Sequence, residues 1–167
     1  MHFSHISIGG GISGLETIIS AFNYIKSDLM KSKIKRKKFK FKKFTFAIIE
    51  KNPENIPGGV AYGFKNSKYG YFNNPIRLSP KKFIEWLLKK QNKKKIVRYL
   101  KKYGGYTGKK WLNNYNKVLF SPHMKKFKEL YMPRAVLNFW MEERLISLIS
   151  EMKSISNKLS IFFEIKF

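Results

Sequence analysis

Three glycines define the chemistry open to this chain. Gly9, Gly11 and Gly14 stand at Gly-x-Gly-x-x-Gly spacing within SIGGGISGLE. At that spacing the first glycine makes a tight turn, the second lets the backbone approach a pyrophosphate, and the third lets a helix pack closely on a strand. N–H groups at the start of that helix, aided by its dipole, hold phosphate. The chemistry implied is the non-covalent grip of a dinucleotide, with Gly10, Ile12 and Ser13 completing the turn. Glu50 ends an apolar run, and a carboxylate placed there accepts hydrogen bonds from both hydroxyls of a ribose. Glutamate rather than arginine favours an unphosphorylated ribose, as in FAD or NAD. It lies 36 residues after Gly14, against a usual interval of ~20, and a basic insertion accounts for the excess. No other constellation carries chemistry. The chain has no cysteine, which removes disulfides, thiolate metal sites and redox pairs. His123 has no second imidazole or carboxylate near it in sequence and reads as a surface-loop histidine, neither a metal ligand nor half of a triad. GGYTGKK, residues 104–110, lacks both the spacing and the hydroxyl of a phosphate-binding loop. No nucleophile or acid–base pair suited to cofactor-free catalysis is present.

Around these residues the pattern predicts a strand, a turn and a helix in immediate succession. Phe3–Ile8 alternates apolar and polar positions, and Leu15, Ile18, Ile19, Phe22 and Ile25 follow at helical spacing, giving a helix from about Ile12 to Lys26. Residues 26–43 form a basic insertion in the first crossover, with nine basic residues among the thirteen from Lys31 to Lys43. Blocks of like charge are usually solvated. Phe44–Ile49 is apolar enough for a buried parallel strand. Asn52–Pro80 holds four of the six prolines and reads as a long structured loop of the functional kind. Ser79 and Pro80 open a helix carrying Phe83, Ile84, Trp86, Leu87 and Leu88. A second long helix runs from Pro133 to about Lys153, with Leu137, Trp140, Met141, Leu145, Leu148, Ile149 and Met152 on its apolar face. Leu159, Ile161, Phe163 and Ile165 alternate as a third strand. The expected fold is α/β: one Rossmann-like, three-layer domain over residues 1–167 with a short parallel sheet and helices packed on it.

At 167 residues and 43% hydrophobic content, the chain can bury a core and fold. Its formal charge is +25, yet only five of 35 basic residues are arginine. Lysine, asparagine, isoleucine, phenylalanine and tyrosine rise together, as an AT-rich coding sequence produces, so the charge reads first as solubility and non-specific association. Basic nucleic-acid binding, supported by that charge and 16% aromatic content, is the alternative from a different class. No signal peptide and no apolar run of ~18 residues is evident, so a membrane partner is not expected. Absence of cysteine suits a cytoplasmic protein.

The glycine turn, IIEKNP, GGVAYG, FNNPIRLSPKKFIEWL and YMPRAVLNFWM together resemble, in order, the FAD/NAD(P)-binding flavoproteins. That family includes flavin-dependent monooxygenases of the urate hydroxylase-like kind and, more distantly, amine N-hydroxylases. The resemblance spans about His5 to Ile149. It implies an oxidoreductase-like domain in which Gly9, Gly11 and Gly14 cradle the FAD pyrophosphate. Glu50, beside Lys51, would bind the adenosine ribose. Gly59, Val60, Ala61 and Tyr62 would pass beside the flavin end, with Asn73, Asn74 and Pro75 near the isoalloxazine. Arg134 would set its charge against a phosphate or the loop backbone. The resemblance also implies NAD(P)H as reductant, but family members are longer. This sequence lacks their later Ala-Thr-Gly type segment and their second nucleotide-binding domain. The expectation is a truncated or split protein whose site a second chain completes, or an inactive remnant, with an undefined small-molecule substrate.

Overall fold

A computed structural model describes residues 4–34, 43–120, 124–159 and 162–167. Phe3, His123 and Ile161, and the basic stretch 35–42, lie outside the described residues. The chain is mostly helical around a β-α-β unit, and it divides into two compact units, residues 1–59 with 142–167, and residues 60–141.

The first unit begins with β1 (His5–Ile8), α1 (Ile12–Ile34) and β2 (Lys43–Ile49). β1 and β2 are parallel neighbours in the register Ser7↔Ile48 and Ile8↔Ile49, and the Gly9 N–H extends the ladder to the Ile49 carbonyl at 2.8 Å. The last strand, β3 (Phe162–Lys166), pairs parallel with the other edge of β2, so the order is β1-β2-β3. Four consecutive residues of β2, Thr45–Ile48, are buried, as a strand covered on both faces requires. α1 buries Leu15, Ile18 and Phe22 of the expected stripe, and also Leu29, while Ile19 and Ile25 are half-buried.

β1 keeps its alternation but presents its polar side to the helix. Ser7 is buried, whereas Ile6 and Ile8 are 49% and 87% exposed. The cause is the close approach of α1: a Cβ on Gly14 would lie 2.7 Å from Ser7 Oγ, so only a small residue fits beneath the helix.

Residues from Glu142 onward belong to this unit and continue a helix, α7 (Arg134–Leu159), that begins in the second. Arg144 makes a bidentate pair with Glu16 of α1, its Nη2 donating to Oε2 at 3.0 Å, and Lys26 Nζ meets Glu151 Oε1 at 2.7 Å. Arg144 is the better shielded, with its side chain 17% exposed. Arg144→Met should therefore lower stability by about 1–2 kcal/mol. Lys26→Met, at a more exposed pair, should cost under about 1 kcal/mol. Urea midpoints of the two variants measure the difference.

The second unit is helical: α2 (Gly59–Tyr62) from Val60 onward, α3 (Lys81–Leu88), α4 (Lys90–Tyr103), α5 (Gly105–Phe120), α6 (Met124–Lys128) and the start of α7. Its core gathers on Phe83, which is fully buried with Phe72, Trp140 and Trp86 rings 5.7, 5.1 and 6.0 Å away. The chain around Tyr71 runs antiparallel to that around Pro133. Phe72 N–H donates to Met132 O at 2.8 Å and Arg134 N–H to Gly70 O at 3.2 Å.

Several boundaries differ from expectation. Among the described residues the sheet has three strands, not a full Rossmann sheet. α1 runs eight residues past Lys26, so the first part of the basic insertion is helix. α7 continues to Leu159, and β3 starts at Phe162 rather than Leu159. Pro80, not Ser79, is the N-cap of α3; its φ of −54° and ψ of 137° place it just outside the helix, with no side-chain cap. The loop Asn52–Pro80 is built from α2 and three 3-10 turns, Pro53–Asn55, Asn66–Lys68 and Ile76–Leu78. Gly104, Gly105 and Gly108 of GGYTGKK serve a helix junction. A Cβ on Gly104 would meet Leu100 O at 2.6 Å and one on Gly108 would meet Leu100 Cδ2 at 3.1 Å. Among the described residues no helix is long and apolar enough to cross a membrane.

Candidate functional site

The glycine turn joins β1 to α1 in three residues. Gly9 has φ +95°, a conformation L side chains rarely adopt. Leu15 N–H donates to Gly11 O at 3.1 Å, so the N–H groups of Ile12, Ser13 and Gly14 precede the intrahelical ladder. Gly14 is fixed by packing, because a Cβ there would lie 2.3 Å from Gly9 O. Gly10 is fixed by its neighbours, with Ile56 Cγ1 only 2.5 Å from its added Cβ.

Gly11 is different. Its added Cβ would meet nothing nearer than Gly59 Cα at 3.8 Å, which is ordinary van der Waals contact. Its φ is not among the positive values. Among the described residues, neither sterics nor backbone conformation calls for glycine at position 11.

Glu50 stands one residue beyond β2 and closes on the turn. Its Oε2 accepts from Gly10 N–H at 2.8 Å, and its Oε1 from Asn52 N–H at 3.1 Å and Asn55 Nδ2 at 3.4 Å. The Gly10 N–H, then the Asn52 N–H, hold the carboxyl below its ordinary value, since hydrogen bonds to the charged form favour it. A depressed folded pKa gives stability that is present above the ordinary carboxylate value and lost as pH falls through the folded one. Glu50→Gln should therefore lower the melting temperature at neutral pH and flatten the acid side of its profile below about pH 4.5, where parent and variant converge. An acid limb identical to the parent's would refute that role. The side chain of Lys51 is exposed.

A second wall faces the turn. Gly58 N–H donates to Gly10 O at 3.0 Å. Gly59 has φ +70°, and a Cβ on it would lie 3.2 Å from Gly11 Cα. The structure thus brings Gly9–Gly14, Glu50 and Gly59 together in the first unit.

The remaining sequence-derived candidates lie in the second unit and form their own cluster. Arg134 Nε donates to Tyr71 O at 3.0 Å and Nη2 to Asn73 Oδ1 at 3.3 Å. Its guanidinium lies 5.6 Å from the centre of the Tyr62 ring. Arg134 thus holds the loop at the Tyr71 carbonyl and the Asn73 side chain. Val60 is 73% exposed, and its carbonyl accepts from Asn66 Nδ2 at 2.8 Å. Ala61, Asn73 and Asn74 are exposed.

Sequence reasoning missed Asn55, Ile56 and Gly58 as partners of the turn. The Pro57-Gly58 dipeptide was a local signal for a turn, but its pairing with Gly10 spans 48 residues. Comparison of the chain with protein-family models, with curated proteins and with solved structures yields no match.

Proposed function

We propose that the first unit is an FAD-binding, flavoprotein-like domain whose glycine turn holds the pyrophosphate. The observation that carries this reading is Gly11, a glycine without an internal cause beside unladdered helix N–H groups. A diphosphate needs that combination: donors aimed outward and a backbone no Cβ obstructs. In this reading the N–H groups of Ile12, Ser13 and Gly14 bind phosphate oxygens. Glu50, whose Oε2 has a second lone pair beyond its bond to Gly10, accepts a ribose hydroxyl. Gly59 keeps the opposite wall thin.

The β1-β2-β3 order supports the same reading, being that of the first three strands of a doubly wound nucleotide-binding sheet. Bound FAD would supply two-electron redox chemistry, with NAD(P)H as the proposed reductant. Within the second unit, Arg134 ties its own loop to Tyr71 and Asn73 through the contacts described. The substrate is proposed to be a small molecule.

The test is the visible absorbance of purified protein after incubation with FAD and gel filtration. Retained flavin bands support the domain; a colourless protein that takes up no FAD refutes it.

A further inference from the structure

The second unit holds 20 lysines and arginines against two glutamates, a net charge of +18 out of the chain's +25. Both carboxylates face cations already: Glu129 meets Arg77 at 3.1 Å and Glu85 meets Lys81 at 3.9 Å. The unit therefore carries a large net positive charge, which attracts polyanions.

Two hollows on the unit share one residue, Asn114 of α5. The first, of about 380 Å³, is lined by Tyr71, Tyr115, Tyr131, Lys110 and Glu129, the carboxylate of the last being paired with Arg77. Its three tyrosines are 37%, 38% and 50% exposed. The second, of about 540 Å³, is lined by Lys101, Asn113, Asn116 and Lys117. The tyrosine walls stand on pinned backbone. Tyr71 O accepts from Arg134 Nε at 3.0 Å, and Tyr131 O from the Nε1 of buried Trp111 at 3.1 Å.

We propose that α5 carries a binding track for single-stranded nucleic acid. Unpaired bases stack on the tyrosine hollow, Asn114 meets base or sugar edges, and Lys101, Lys110 and Lys117 take the phosphates. Exposed ring faces beside a cationic groove are what unstacked bases and their backbone require. Adjacent hollows divided between rings and lysines fit successive nucleotides better than one free nucleotide. The site lies wholly in the second unit and does not rest on the flavin reading.

The test is fluorescence anisotropy of a labelled oligothymidylate with the full chain, across a salt series. The parent should bind with affinity falling steeply as salt rises. Tyr115→Ala/Tyr131→Ala should weaken binding tenfold or more at fixed salt and leave the salt slope unchanged. Lys101→Gln/Lys117→Gln should lower the slope by about 1.4. Tyr131→Ala alone, at a half-exposed side chain, should show the same loss at smaller size, and Gly11→Val should bind like the parent. Undiminished binding by the tyrosine variants overturns the proposal. So does full competition by thymidine monophosphate at equal nucleotide concentration, which assigns a mononucleotide pocket. Capture by phosphatidylserine vesicles without oligonucleotide binding overturns it too.

Discussion

Gly14→Ala should lower the stability of the protein by about 2–3 kcal/mol. Helix propensity alone argues the other way, since alanine is favoured over glycine in a helix by about 1 kcal/mol. The clash decides the sign. The new Cβ would stand 2.3 Å from Gly9 O and 2.7 Å from Ser7 Oγ. Gly9 O is backbone, held between the strand ladder and the helix start, so it cannot swing aside as a side-chain tip does. Either α1 lifts from β1 or the turn deforms, and both uncover Leu15 and Ile18, now 1% and 0% exposed. A urea midpoint equal to or above the parent's would show that the strand–helix contact is looser than described.

Gly11→Val should leave that midpoint nearly unchanged and abolish FAD binding, raising Kd at least a hundredfold. Its Cβ enters space whose nearest atoms are Gly59 Cα at 3.8 Å and Gly59 N at 3.9 Å. The fold therefore has room for a Cβ at this position. A pyrophosphate drawn to the N–H groups of Ile12 and Ser13 would collide with it. The pair of variants separates two roles within one motif, packing at position 14 and ligand approach at position 11. Circular dichroism and FAD titration of each variant read the two roles independently. Gly11→Val binding FAD like the parent would leave the turn purely structural.

What the sequence disclosed was local. The turn, α1 and β2 were legible because their signals sit within a few neighbouring residues: three glycines, an apolar stripe, and the run FTFAII. Glu50 was legible as a carboxylate at a strand end. Its contact with Gly10, 40 residues away, was not, because no local pattern encodes which donor a carboxylate meets. The inversion of β1 was hidden for a related reason. Alternation reports period 2 but not which side faces the helix, and the contact between Gly14 and Ser7 outweighs the burial of Ile6 and Ile8.

The helices of the second unit were obscured by lysine. α4 buries Ile96, Tyr99 and Leu100, a helical spacing, but lysines crowd around them and the composition reads as solvated. Three helix elements, α4, α5 and α6, consequently lay where no element was expected. Arg134 was singled out, yet its grip on Tyr71 and Asn73 depends on the antiparallel pairing of Tyr71 with Pro133, which joins segments some 60 residues apart in sequence.

The most direct test of the central claim, that the glycine turn holds a dinucleotide by its pyrophosphate, is an equilibrium titration of the parent protein with FAD, followed by flavin fluorescence, with ADP and riboflavin as competitors. FAD should give a saturable change that ADP reverses and riboflavin does not, because the donors of Ile12, Ser13 and Gly14 and the carboxylate of Glu50 serve the adenosine diphosphate half. No saturable change, or reversal by riboflavin and not by ADP, would contradict it.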